Sequence, residues 1–264
     1  MFRAYVLIPV LLLLSVFPLS CGDSSRHDQE NNRHSNISEQ SNSKLLFSGE
    51  YYLYNNTKIV GCETLSISRT ESENILCRSE LTIKSGYKHQ QHSRFLIDKD
   101  RNIKDVIIRN HSGGITRTAT IDDIGSAVQC SISTGDGRCE KIELKKFSEW
   151  IIYFEIPVFL SSVVKKLNLL AGESKDIKTI YIEPGTLKIF DAVFRYCFIG
   201  YDTTMVPAGK FRARKYCISD LQEKNKKTFW INENDIILSV GDNPEGNNIY
   251  QLNNYTTAED SASH

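Results

Sequence analysis

The stretch Ile156-Pro157-Val158-Phe159-Leu160-Ser161-Ser162-Val163-Val164-Lys165-Lys166-Leu167-Asn168-Leu169-Leu170-Ala171 stands out from a chain of 264 residues that otherwise reads as strands and tight turns. Ile156, Leu160, Val163, Val164, Leu167, Leu170 and Ala171 recur at helical spacing and make one apolar stripe. Pro157 suits the first helical turn, where its missing N–H is no loss, and Gly172 suits the residue just past the end. Lys165 and Lys166 fall near the partial negative pole. The spacing therefore predicts a helix over 156–171. A helix with one apolar stripe needs a sheet to bury it. The expected fold class is mainly β: a curved antiparallel sheet or incomplete barrel closed by this one helix.

Outward from the helix, the alternation of apolar and polar residues predicts strands over 46–54, 58–68, 75–85, 93–98, 103–109, 115–121, 127–133 and 140–147. Asn55-Asn56, the polar run 98–102 and His111-Ser112-Gly113-Gly114 are turns between them. After the helix come 178–182, the turn Glu183-Pro184-Gly185 and a long strand over 187–200. Phe190, Phe194, Tyr196 and Phe198 share one face of that strand by period-two counting. A strand over 211–218 returns antiparallel, and 227–232, 236–240 and 249–252 complete the sheet. The expected organisation is a single β-rich domain over 45–252 and a disordered polar tail over 253–264.

The first residues do not belong to that domain. Arg3 precedes an almost unbroken apolar run over 5–19, which is 15 residues long. That is short of the roughly 20 needed to span a bilayer as a helix. Small residues and a polar stretch follow, so 1–20 reads as an export signal peptide. Its junction, Leu19-Ser20-Cys21-Gly22, resembles a bacterial lipoprotein signal. The resemblance implies that Cys21 carries a lipid and becomes the mature N-terminus, with the membrane as a partner. Residues 21–44 then form a flexible tether, polar except for Ile37, with a reach on the order of 25 Å. The expected address is the cell envelope, anchored on the periplasmic or outer face.

Seven cysteines are present, and setting Cys21 aside for lipid leaves six. Six cysteines allow 15 connectivities, which turn chemistry narrows. Cys130 and Cys139 bracket Thr134-Gly135-Asp136-Gly137, and Cys197 and Cys217 are symmetric about Pro207. Cys62 and Cys77 flank the polar break over 69–74. Residues equidistant from a hairpin turn face each other across the ladder at a separation a disulfide can span. Three local bridges are expected: Cys62–Cys77, Cys130–Cys139 and Cys197–Cys217. Leu65 and Ile67 face opposite to Cys62, which calls for a bulge in the first hairpin.

A resemblance appears in the C-terminal half. Gly200, then Val206-Pro207-Ala208-Gly209-Lys210-Phe211-Arg212-Ala213, then Phe229-Trp230-Ile231 resembles a group of exported bacterial β-proteins of unknown function. Gly49-Glu50-Tyr51 and Ile59-Val60-Gly61-Cys62-Glu63 resemble that group's opening hairpin. The likeness extends over 45–252 and implies an architecture similar to the periplasmic lipoprotein carriers, a curved and incomplete antiparallel barrel closed by helix.

Composition excludes some functions. Lys plus Arg and Asp plus Glu are 32 each, so no basic surface for a nucleic acid is expected. His89 and His92 are three residues apart, on opposite faces of a strand, which suits a shared metal poorly. The chain has no Gly-x-Ser-x-Gly elbow and no phosphate-cradling glycine loop. No catalytic residue, metal or cofactor is expected. The leading expectation is a non-enzymatic lipoprotein that binds a lipid or other hydrophobic small molecule between sheet and helix. Its lining would be Leu160, Val163, Val164, Leu167, Phe194, Tyr196 and Phe198. The alternative is a structural or interaction protein of the envelope with a filled core, and a hydrolase ranks third.

Overall fold

A computed structural model describes residues 43–258, apart from 85–88, 101, 125–126, 146–150, 154–159, 161–162, 165, 184, 224–225 and 242–247. The chain divides into two units, Met1–Ser38 and Glu39–His264, and every described residue belongs to the second. The expected signal peptide over 1–20, Cys21 and nearly all of the expected tether over 21–44 lie outside the described residues.

The described residues of the second unit form fifteen strands. These are β1 (Lys44–Asn55), β2 (Lys58–Arg69), β3 (Ile75–Ile83), β4 (His89–Ile97), β5 (Ile103–Ser112), β6 (Ile115–Asp123), β7 (Ala127–Thr134) and β8 (Cys139–Lys145). Then follow β9 (Ile151–Tyr153), β10 (Ser174–Ile182), β11 (Ile189–Val206), β12 (Gly209–Asp220), β13 (Lys227–Ile231), β14 (Ile237–Gly241) and β15 (Asn248–Thr257). All belong to one sheet, in the order β8-β7-β6-β5-β4-β3-β2-β1-β15-β14-β13-β12-β11-β10-β9. Every pairing is antiparallel except β9 with β10.

Connectivity makes this sheet curl. Laid flat at about 4.8 Å per strand, fifteen strands would span about 67 Å. Yet its two edges, β8 and β9, are consecutive in the chain. Six peptide units join Lys145 to Ile151 and reach about 20 Å at most. The edges are therefore held together by covalent geometry. Electrostatics agree, because Asp191 on β11 acts on the thiol of Cys130 on β7. Register shifts at Glu50/Tyr51, Leu96/Ile97, Phe198/Gly200 and Trp230/Ile231 supply local bends.

One continuous apolar core fills much of the concave side. Along β1 and β2, Phe47, Tyr51, Leu53 and Leu65 alternate with more exposed neighbours, as period two requires. On the β11–β13 side, stacked rings of Phe198, Tyr216 and Phe229 run across three strands with centroids 4.7 and 5.5 Å apart. β14 is buried along its whole length.

The expected helix over 156–171 does not close the sheet. Within 156–171, helical backbone among the described residues is confined to Leu160, Val163, Val164, Lys166 and Leu167; 154–159, 161–162 and 165 lie outside them. The chain leaves the helix at Asn168, with φ of 45°, and Leu170 is 70% exposed. The stripe fails past Leu167 because Asn at left-handed φ terminates a helix, and Leu170 then points to solvent. The sheet needs no closing helix, since its own edges are brought together. The expected polar tail from 253 also starts later. β15 runs on to Thr257, where it pairs with Phe47 of β1, because the β1 edge offers a ladder that compensates for polar composition.

Candidate functional site

Cross-strand register sorts the concave face of β1–β8 into rows. The row Phe47, Ile67, Cys77, Phe95, Val106, Ile121, Cys130 and Ile142 is wholly apolar. Two steps along the strands, Tyr51, Glu63, Leu81, Gln91, Asn110, Arg117 and Thr134 stand opposite one another in turn. Only Leu81 in this second row is aliphatic. Ser79 and Ser93, directly opposite each other, lie between the two rows.

These polar groups are inside the protein. Glu63 is 0% exposed and Asn110 is 2% exposed, and Gln91, Ser79 and Ser93 are also buried. Ser79 donates its hydroxyl to Glu63 Oε1 at 2.5 Å, whereas Oε2 has no partner among the described residues. Burial pushes the Glu63 carboxyl up to about 7, with the Ser79 hydrogen bond acting in the opposite direction. Tyr51 donates to the Ile237 carbonyl at 3.0 Å, and burial raises its phenol, helped by the charge of Glu63. Gln91 donates to Ser93 at 3.3 Å. Neither amide atom of Asn110 has a partner among the described residues.

At the β6 end the polar row meets a cavity of about 920 Å³. Ile115, Arg117, Ile132, Thr134, Arg138 and Glu140 contribute to its walls. Asp136 and Arg138 pair with each other at 3.3 Å. Arg117 has no ion-pair partner among the described residues, and it stands directly opposite Asn110 on the neighbouring strand. Chemically this is a half-open site with a half-buried cation, the carboxylates of Asp136 and Glu140 and two isoleucine side chains; Asn110 lies one strand further in and is not part of its wall.

The residues expected to line a ligand are elsewhere. Leu160, Val163, Val164, Leu167, Tyr196 and Phe198 are buried in the continuous core, and Phe194 packs against it from a half-buried position. The structure brings all seven into one apolar cluster. His89 and His92 point to opposite sides of β4, as period two requires. Burial lowers the pKa of His89, while His92 approaches Glu80 at 3.4 Å.

Register corrects two of the expected cysteine pairs. Cys62 stands opposite Thr82 and Cys77 opposite Ile67, so the β2–β3 hairpin centres well past the midpoint of the two cysteines. Cys130 stands opposite Ile142 and Cys139 opposite Ser133, with Cys130 buried and Cys139 exposed. In both hairpins the turn centres C-terminal to the midpoint of the two cysteines, which leaves each pair out of register and on opposite faces of the sheet. Cys197 and Cys217 are direct partners, as expected. All six are free thiols in this structure.

Glu63, Gln91, Asn110 and Arg117 were not evident as a site from the sequence. Period-two counting would place each on the same face as the neighbouring core residues, a polar residue at an inward position. What makes them one row is the register of five strands, β2 to β6, which no local pattern contains.

No protein-family model matches the chain, and no curated protein matches it. Among solved structures, it is similar to a β-barrel-like protein of domain of unknown function DUF1849 from Brucella abortus. That likeness has a TM-score of 0.53 at 10% identity, covering 82% of this chain and 99% of the other. It is also similar to a DUF1089 family protein from Pseudomonas aeruginosa, with a TM-score of 0.48 at 18% identity over 70% of this chain and 94% of that one. The first of these likenesses supports the fold that register and connectivity give here: mainly β, one curled sheet, barrel-like.

Proposed function

We propose that this protein is an exported, membrane-tethered, non-enzymatic binding domain that holds a small apolar or amphiphilic molecule at the concave face of its sheet. The observation that supports this most is the cavity of about 920 Å³ at the β6–β8 end of that face. Small-molecule sites are concavities of this size, lined by apolar walls with a few placed polar groups, and they favour the mouths of β-barrels. Leu160, Val163, Val164, Leu167, Tyr196 and Phe198 are packed in the core. The ligand's place is therefore the β6–β8 cavity rather than the space between sheet and helix. The tether rests on the Cys21 junction, with lipid at that cysteine.

Native mass spectrometry of the protein purified from its membrane fraction tests the binding reading. Added mass of one small molecule, lost when Ile132→Trp fills the cavity, is the expected result. A bare mass under gentle conditions overturns it in favour of a filled envelope protein, which the near-complete burial of the core on the β11–β13 side favours. Cys21→Ser tests the anchor: the variant should leave the membrane fraction. If it partitions and migrates as the parent does, lipidation is wrong.

A further inference from the structure

The hairpin of β11 and β12 runs on past its neighbours. β10 pairs with β11 only up to Cys197, and β13 pairs with β12 only from Arg214 onward, so 199–206 and 209–213 form a two-stranded arm. One face of the arm lies on the rest of the sheet. Val206 and Ala213 are buried there, the Ala208 N–H donates to the Leu252 carbonyl, and the Phe211 ring leans on Tyr255 with centroids 6.2 Å apart. Period two puts Tyr201, Thr203, Met205, Lys210 and Arg212 on the other face, and all five are exposed. Met205 is 73% and Tyr201 64% exposed, and the Arg212 guanidinium sits 5.2 Å from the centroid of the Tyr201 ring. Lys210 and Arg212 have no ion-pair partner among the described residues. No acidic side chain of the arm shares their face: Asp202 belongs to the opposite one, where Lys215 holds it at 3.6 Å. The chain enters the domain at the same end of the sheet. β1 starts at Lys44, and Phe47 near its start stacks at 6.2 Å on Tyr255, the ring that Phe211 also touches.

We propose that the outer face of this arm, built from Tyr201, Met205, Lys210 and Arg212, docks on the surface of a bilayer containing anionic lipid, as a second contact beside the N-terminal anchor. This rests on the tether reading above and adds to it. Two cations with no acidic neighbour select an anionic partner. Nucleic acid or an acidic protein would satisfy the cations but leave Met205 in water, whereas a bilayer offers phosphates at its surface and acyl chains just below. An aromatic ring with a polar tip fits that boundary, and Arg212 resting on the Tyr201 ring brings ring and cation to the surface together. Each Lys or Arg close to an anionic leaflet raises the docked-to-free ratio about fivefold. A bilayer attached at Cys21 holds the domain by the end where β1 begins, which is the end that carries the arm.

Tryptophan fluorescence of the full chain in phosphatidylcholine vesicles, with and without phosphatidylglycerol, tests the contact when a lipid spin-labelled at headgroup level is the quencher. The parent's own Trp150 and Trp230 supply the baseline. Met205→Trp should be quenched in the anionic vesicles. Ile59→Trp should not, because Ile59 is 56% exposed at the opposite end of β1. Adding Lys210→Gln and Arg212→Gln to Met205→Trp should lower its docked-to-free ratio about 25-fold, and omitting phosphatidylglycerol should do the same. Equal quenching at 59 and 205 overturns the docking face, as does quenching indifferent to both phosphatidylglycerol and the glutamine changes. Vesicle flotation separates the two readings: protein that floats without quenching at 205 keeps the anchor and loses the arm, whereas protein that does not float loses both. A dimer in detergent that Met205→Glu dissociates, with no quenching at 205, gives the face to a second copy and overturns the bilayer contact.

Discussion

Glu63 carries the strongest pH signature of the single residues. Its carboxyl is wholly buried and is pushed up to about 7 from an ordinary value near 4.5. A folded-state pKa above the unfolded one means that folding favours the protonated form. The stability this residue allows is present below about 4.5 and is lost as pH rises through about 7. The rise corresponds to roughly 3 kcal/mol. Thermal melts of the parent should therefore decline between pH 4.5 and 7.5 relative to those of Glu63→Gln, which lacks the titrating group. Parallel curves for the two proteins would show that the carboxylate is solvated. The cysteines make the second prediction at this scale. Cys197 and Cys217 are opposed in register, and directly opposed strand residues have Cα atoms about 4.5–5.5 Å apart, within disulfide range. Burial raises the Cys217 thiol to about 11, and the neighbouring Cys197 adds to the rise. We propose that this pair is the disulfide of the oxidised protein. Peptide mapping without reduction should recover the 197–217 link alone, with Cys62, Cys77, Cys130 and Cys139 alkylated after unfolding. A 130–139 link would mean that the β7–β8 register is wrong.

Hairpins are the elements of this fold, and backbone approach constrains them as much as side chains do. Gly61 on β2 is the clearest instance: a Cβ there would lie 2.7 Å from the carbonyl oxygen of Thr82 and 3.3 Å from the Cα of Ile83. Both are backbone atoms of the adjacent strand and cannot rotate away. Gly61→Ala should destabilise the protein by about 1–3 kcal/mol, the usual cost of overpacking. Gly135 is the matched control, because its Cβ would meet nothing closer than 3.7 Å, so Gly135→Ala should melt with the parent. Equal melting of the two variants would show that β2 and β3 can separate freely at Gly61. The edge strand β8 shows another constraint. Its exposed Glu140, Lys141, Glu143 and Lys145 alternate in charge along an unpaired ladder, a device that discourages pairing with another chain.

For the whole molecule the decisive relation is between the sheet's two edges. Nitroxide labels at Glu143 on β8 and Lys178 on β10 would be about 60 Å apart on a flat sheet. The short link from Lys145 to Ile151 predicts a distance below about 35 Å by double electron–electron resonance. A distribution centred near 60 Å would remove the curl and the cavity with it. Much of the architecture was legible beforehand. Fourteen of the strands sit where alternation and turn residues put them, because period two and Asn, Gly and Pro turns are local physics. The Cys197–Cys217 opposition was legible in part: the tight turn Val206-Pro207-Ala208-Gly209 brings the two within one residue of register, and the shift at Phe198/Gly200 completes it. The Cys62 and Cys130 pairings were not, because the turns at 70–74 and 134–138 centre past the midpoint of each cysteine pair and set its two thiols on opposite faces of the sheet. The helical stripe over 156–171 carried the right residues to the core at Leu160, Val163, Val164 and Leu167, but periodicity cannot say where a helix stops. What only the tertiary structure decided is the polar row. Glu63, Gln91, Asn110 and Arg117 lie on four different strands, and only the summed register of the sheet sets them side by side, with burial then deciding which of their atoms go without a partner.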